Sequence, residues 1–521
     1  KEWGRDCVSK FNGMWAFSIY DSIKDELFCS RDRFGIKPFN YSIVNNQLIF
    51  ASEIKAILEY NSSLRVPNFN VIANFCRTSI GAQIEETWFE NIFRLKPAHN
   101  LVVSQGKVER IRYWDYPKRI DKKISFEFAK KEYQKLFNDA VNLRMRSDVP
   151  VGFTLSSGID SSSIISILKG KLEENKKTYT ASFSSYQFDS AEKANFRSDV
   201  EIDEPKLVKR LAEEIDFSPN FIEISYSQYA SELSKIIYHL ESGHGSPAIY
   251  PLDKVLHEAS KEVVVVLEGQ GADELLGGYV SNIQGAYFYE MLKKIRLKKA
   301  IKELYNFSKT YNLKTAFMLI IRNANISWLQ SIYFKISGID KFFTGRIKKF
   351  KQIKDYPIKP TGFDCELNKH LFKAHTGGLV NLLHYGDAIS MKHSLESRLP
   401  FMDYRLVEFV FKLPADFKVN NGMGKYIHRQ AMQEIVPDFI LKNPNKFGFE
   451  SPLVHLFKLE GADSPINILL SKKSLNRGLF SEKAIRNSVA TKNIKHYRLL
   501  FRMLSVELWF RIFIDENCQE S

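Results

Sequence analysis

The sequence predicts an α/β protein, with a β-rich first part followed by a doubly wound parallel sheet carrying extra helices. Three observations lead there. Up to about residue 117, short apolar runs alternate with Gly, Asn and Asp turns. Beyond residue 124, strand-like runs alternate with apolar stripes of helical period. Between them in importance stands 149–169, where the apolar run 151–155 breaks at Ser156-Ser157-Gly158 and resumes at helical spacing as Ile159, Ile164, Ile165 and Leu168.

In chain order, residues 14–20 (MWAFSIY) predict a strand, 21–25 a turn and 26–30 a second strand, together a hairpin. A charged Gly/Pro-punctuated loop follows at 31–38, then a strand at 47–51 and a short helix at 52–59 with Ser52 as its N-cap. Runs at 101–103 and 110–113 around Gly106 close another hairpin, and the polar stretch 117–123 is the expected boundary. Ala129, Tyr133, Leu136, Phe137, Ala140 and Val141 then make a helical stripe ending near Arg146. Strands are expected at 179–184, 221–225 and 261–267, with helices from Asp203-Glu204-Pro205 and over 226–240. In such sheets ligands sit beyond the carboxyl ends of the strands.

Composition excludes several classes. At 44 % hydrophobic and 13 % aromatic the chain buries large cores. No apolar run is long enough to span a bilayer, and no membrane partner is expected. Five scattered cysteines, an odd count without C-x-x-C spacing, argue against a disulfide or zinc framework and for the cytoplasm. A strand pattern begins almost at once after Lys1, so an upstream piece is expected to be missing. The net charge of +15 is concentrated: residues 281–360 hold seventeen Lys/Arg against four Asp/Glu. That pattern suits nucleic acid or an acidic membrane. The plainer reading, a helical insertion (281–374) with solvated basic faces, is preferred.

Two turns carry the chemistry. A strand, tight turn and helix at 151–168 aims backbone N–H groups and a positive helix end at an anion. An ordinary Ser-capped connection is the bland alternative. Asp160 would repel a bare phosphate but suits a Mg²⁺ that bridges to one. The strand at 261–267 leads into Glu268-Gly269-Gln270-Gly271-Ala272-Asp273-Glu274, so Asp160 and Asp273 are expected to face each other across a phosphate site. No G-x-x-x-x-G-K-[ST] occurs, and a cation from the C-terminal half, Lys446 in KNPNKFGFESP, is expected to serve instead. Residues 387–403 hold a charged cluster in which 398–401 ends a helix. Lys425 and Arg429 are read as one basic helix face.

With these motifs in hand, the chain resembles the asparagine synthase family. The resemblance rests on GMWAF at 13–17, RDRFGIKP at 31–38, FASEIKAIL at 50–58, SSGIDSS at 156–162, GQGADELLGGY at 269–279, SMKHSLESRLPFMD at 390–403 and NKFGFESP at 445–452. It implies the C-terminal part of an Ntn-type, class II glutamine amidotransferase domain at 1–117 and a PP-loop synthetase domain at 124–515. It also implies ATP and Mg²⁺, with nucleotide contacts at Leu155, Ser156, Ser157, Gly158, Asp160, Ser161, Phe183, Glu268 and Gly269. Metal contacts fall on Asp160 and Asp273, and catalytic roles on Lys446, Gln270 and Asp273. Arg398, Glu396 and Lys425 are candidates for substrate contacts, or for structural ion pairs. Ser157 stands where the family usually has Gly, and Gln270 where it commonly has Glu. The glutaminase nucleophile would precede Lys1. Cys7 does not match it, and the chain as given is expected not to hydrolyse glutamine.

The implied reaction amidates L-aspartate through β-aspartyl-AMP, with ammonia supplied by glutamine. Amidation or cyclisation of another carboxylate stays open, and an RNA-adenylating PP-loop protein is the reading from a different class. A nucleic-acid partner is not expected. A homodimer stays open.

Overall fold

The computed structural model describes the chain apart from residues 1, 80, 171–176, 184–203, 227–228, 280–284, 311–338, 350–357, 444–455, 458, 460, 462–463, 492–493 and 516–521. Seven antiparallel strands come first: β1 Ala16–Asp21, β2 Glu26–Arg31, β3 Asn40–Val44, β4 Gln47–Ala51, β5 Phe93–Arg94, β6 His99–Ser104 and β7 Lys107–Arg112. They form a four-stranded sheet in the order β1-β2-β6-β7 and a three-stranded one in the order β4-β3-β5. The hairpins follow from their turns. Asn45 and Asn46 both take positive φ between β3 and β4, as Gln105 and Gly106 do between β6 and β7.

The second part holds β8 Val151–Thr154, β9 Lys177–Ser182, β10 Pro219–Glu223, β11 Val265–Leu267 and β12 Glu396–Arg398. Their order is β10-β9-β8-β11-β12 and each neighbouring pair is parallel. The chain runs outward one way from β8 to β10, then returns to the other side of β8 with β11. Helices between the strands cover both faces, so both faces are apolar: Val265 and Leu267 enter one core cluster and Val266 the other. The point where the order reverses lies between β8 and β11. That is where a doubly wound sheet opens a ligand crevice.

Four expectations need correction. The helix Ile54–Tyr60 is not capped by Ser52. Its N-cap is Glu53, and the buried Glu241 carboxylate accepts from the N–H groups of Ile54 (2.7 Å) and Lys55 (2.6 Å). The strand expected at 261–267 shortens to β11, because residues 261–263 still bond back to the end of the helix Ile249–Ala259. Arg398 does not end a helix: it ends β12, which pairs with β11, before a 3-10 turn at Pro400–Met402. Lys425 and Arg429 do not share a helix face. Lys425 stands before the helix Tyr426–Ala431 with φ 56°, while the Arg429 guanidinium bonds the carbonyls of Gly424, Leu441 and Asn443.

Candidate functional site

The loops after β8 and β11 meet at the sheet's switch point. They touch at Gly269, where an added Cβ would stand 2.9 Å from the Asp160 Cβ and 3.0 Å from the Ser161 nitrogen. Only a residue without a side chain lets the second loop rest on the first turn of the helix Ile159–Ile167.

Within the first loop, Leu155 extends the ladder by donating its N–H to the Tyr179 carbonyl at 3.0 Å. The Ser156 N–H bonds the Ser161 hydroxyl (3.1 Å), and the Gly158 N–H bonds the Ser156 hydroxyl (3.2 Å). The Ser157 N–H points at a carboxylate oxygen of Glu204, 3.3 Å away at the start of the helix Glu204–Ile215. A carboxylate thus stands where this loop would offer donors to a phosphate. Ser157 itself is buried, and its hydroxyl finds no partner among the described residues.

Opposite lies the acidic pair. The Lys425 ammonium is 2.6 Å from one Asp160 oxygen, 2.8 Å from the other, and 2.8 Å from Asp273 Oδ1. Burial works against its charge, but Asp160 and Asp273 outweigh burial and hold the lysine above its ordinary value. Asp273 comes from the short helix Ala272–Leu276, and Gly278 closes behind it: a Cβ there would fall 1.8 Å from Asp273 Oδ1 and 2.4 Å from Lys425 Cε.

His428 fixes the lysine's helix to the first loop. Ser163 donates to the Ile159 carbonyl at 2.6 Å and lies 2.9 Å from His428 Nε2, while Tyr133 lies 2.9 Å from Nδ1. With the serine proton spent on Ile159, the network assigns the imidazole proton to Nε2 and makes Tyr133 the donor to Nδ1. Burial, then the charges of Lys425 and Arg429, hold this histidine neutral.

Beside the pair, Glu268 is buried. It accepts from the Ser397 hydroxyl of β12 (2.7 Å) and from Gln270 Nε2 (3.0 Å), and burial raises its carboxyl above the ordinary value against those two bonds. The Gln270 carbonyl oxygen is buried without a partner among the described residues, and Gly386 leaves the room it occupies. Phe183 follows β9 and packs half-buried on the core. Arg398 and Glu396 bond each other, and Arg398 also donates to the carbonyls of Arg144 and Arg146 at the end of the helix Phe126–Arg144. Lys446 lies outside the described residues.

The residues fit Mg²⁺ together with a nucleotide. Among the described residues no cluster of three or more His, Cys, Asp or Glu side chains could hold a metal. Two carboxylates that already converge on one cation are what Mg²⁺ needs when phosphates fill its remaining positions. A cleft of about 1140 Å³ lies elsewhere, lined by Arg33, His99, Trp114, Lys373 and His375 among others, and none of the loop residues above line it.

Sequence reasoning did not reach Lys425's place between the aspartates, nor Glu204, Ser397 and His428. Gly278 was visible within its motif, but its steric duty was not.

A parallel doubly wound sheet with a small-residue turn and an acidic turn at its switch point defines an α/β protein whose ligand crevice opens between those turns. The asparagine synthase family model matches residues 132–511, and a glutamine amidotransferase domain model matches residues 1–114. The chain is 30 % identical to glutamine-hydrolyzing asparagine synthetase 1 of Bacillus subtilis, over 90 % of this chain and 72 % of that one. It is 28 % identical to the third such synthetase of the same organism, over 99 % and 82 %. It is also 26 % identical to a Penicillium rubens protein named amidase chyE, over 87 % and 73 %. The chain belongs to the asparagine synthase family, a family of glutamine-dependent ligases.

Proposed function

We propose that this chain makes L-asparagine from L-aspartate and ATP, releasing AMP and pyrophosphate, in the cytoplasm. The observation that carries this reading is the convergence of Asp160 and Asp273 on one cation beside the donor-rich 156–161 turn. A carboxylate does not become an amide at neutral pH, because its oxygen leaves too poorly. In the proposed first step the aspartate β-carboxylate oxygen forms a bond to the ATP α-phosphorus while the bond to pyrophosphate breaks. Bound Mg²⁺ would supply positive charge for the phosphate oxygens, held by Asp160 and Asp273.

The chain's own residues supply the rest. The N–H groups and hydroxyls of 156–161 orient the phosphates, and Lys425 balances the two aspartates and keeps them fixed. Lys446 is proposed to approach from the C-terminal half. Ammonia then attacks the acyl carbon, AMP leaves with the C–O electron pair, and the nitrogen gives up a proton. Gln270 can accept a hydrogen bond there but cannot carry the proton away. Glu268, bonded to its amide nitrogen, is the neighbouring carboxylate able to take it. The 1–117 segment is proposed as part of the domain through which ammonia arrives.

The test is product analysis with ATP, Mg²⁺ and L-aspartate, with ammonium or glutamine as the nitrogen source. Asparagine with ammonium supports the reading. If no aspartate-dependent pyrophosphate appears, the acceptor is another acid.

A further inference from the structure

We propose that the face formed by the helices Gly285–Lys293 and Leu297–Thr310 docks the protein onto an anionic lipid surface. This departs from the expectation of a merely solvated basic face, and it stands independently of the reaction assigned above.

Leu297, Ile301 and Tyr305 recur every four residues along one helix face and are all exposed, Ile301 by 69 %. Tyr289, Leu292 and Ile295 extend the patch along the preceding helix and turn, with Ile295 80 % exposed. Large aliphatic side chains so bare of cover mark a binding surface. Lys298 and Lys302 lie on the same face, exposed and without an acidic partner among the described residues.

The acids of this region are turned inward. Glu290 is buried and accepts from the Leu367 N–H and the Cys365 thiol, both at 3.2 Å. Glu303 is buried and accepts from the N–H groups of Asn421 (3.2 Å) and Gly422 (3.0 Å). The surface is therefore apolar and cationic together, the composition of helices that lie in a bilayer interface. Among the described residues no helix is long and apolar enough to cross a membrane, so the contact is one of lying on it.

Charge argues against a second copy, since a two-fold contact through this face would set lysines against lysines. Leu297, Ile301 and Ile295 argue against nucleic acid, because aliphatic side chains offer bases nothing to stack on.

The full chain is sedimented with vesicles of phosphatidylcholine alone and of phosphatidylcholine with a quarter phosphatidylglycerol. Binding is expected on the anionic vesicles only, weakened by salt. Lys298→Glu with Lys302→Glu should lower it at least about tenfold. Leu297→Ser with Ile301→Ser should lower it about as much without removing any charge. Equal partition on both vesicle types overturns the proposal. So does retention on RNA as strong as on vesicles and untouched by the two serines, which would make the face a polyanion site. A solution dimer that those serines dissociate would give the patch to a second copy, and overturns it too.

Discussion

Lys425 lies between Asp160 and Asp273, two carboxylates that would otherwise repel each other in a buried place. Removing it takes away the cation that holds two like charges together, and breaking a buried ion pair is costly. Lys425→Ala is expected to lose at least about a hundredfold in aspartate-dependent pyrophosphate release, read by a coupled assay. Gln270→Glu would put a second carboxyl against Glu268, whose own value burial already raises above the ordinary carboxyl range. A raised folded value gives stability that is present below the unfolded value and lost as pH rises through the folded one. The melting temperature of that variant should therefore fall further below wild type as pH climbs from acid to neutral; a constant gap would contradict it. The turns at 156–161 and 268–279 were legible because each is one short stretch whose small and acidic residues declare their use. The lysine was not, because its partner Asp160 is 265 residues away and nothing local distinguishes it from a solvated cation.

At the level of elements, two small features hold the loops in register. Gly278→Ala drives a Cβ into Asp273 and Lys425, so activity should collapse, whereas Gly378→Ala meets nothing within 4 Å and should leave it intact. Comparing the two by pyrophosphate release and thermal melting checks the steric argument. His428→Ala strands the Tyr133 hydroxyl in a dry core and leaves a cavity, and is expected to cost about 2 to 4 kcal/mol in denaturant unfolding. The alternation of strands and helices was readable, since both sheet faces are buried and the apolar runs are strong. β12 was not readable as a strand: it has only three residues, and its pairing with β11 reaches across more than a hundred residues of sequence. β3 went unread as well, although Asn45-Asn46 is a hairpin signal that could have found it.

Across the whole molecule, charged groups tie the antiparallel sheets to the parallel sheet's part, beside an apolar seam in which Trp88 and Phe89 pack on Trp509. Lys37 meets the buried Asp387 at 2.6 Å. Asp403 collects Asn12 (2.9 Å), Arg144 (2.7 Å) and Arg405 (2.8 Å) from three parts of the chain. Burial alone would raise the Asp403 carboxyl; the bonds from Arg405, Arg144 and Asn12 overcome it and bring it down to about 2. A depressed folded value gives stability that is present above the unfolded value and lost as pH falls through the folded one. Asp403→Asn should therefore cost about 2 kcal/mol at neutral pH. The gap from wild type should close as pH drops from about 4 toward 2 in thermal melts. None of these ties was visible in composition, because each joins residues that look like ordinary surface charge.

Glu241, which terminates the helix Ile54–Tyr60, stands 187 residues downstream of the Ile54 N–H it accepts from. On the ribosome that helix must wait for its two N-terminal capping bonds while the intervening chain is translated, roughly 10 to 40 seconds at ordinary elongation rates. The early sheets therefore emerge with an open helix end and depend on a later neighbour to finish them. Nascent chains stalled before and after residue 241 should differ sharply in how fast a protease cuts near residue 54.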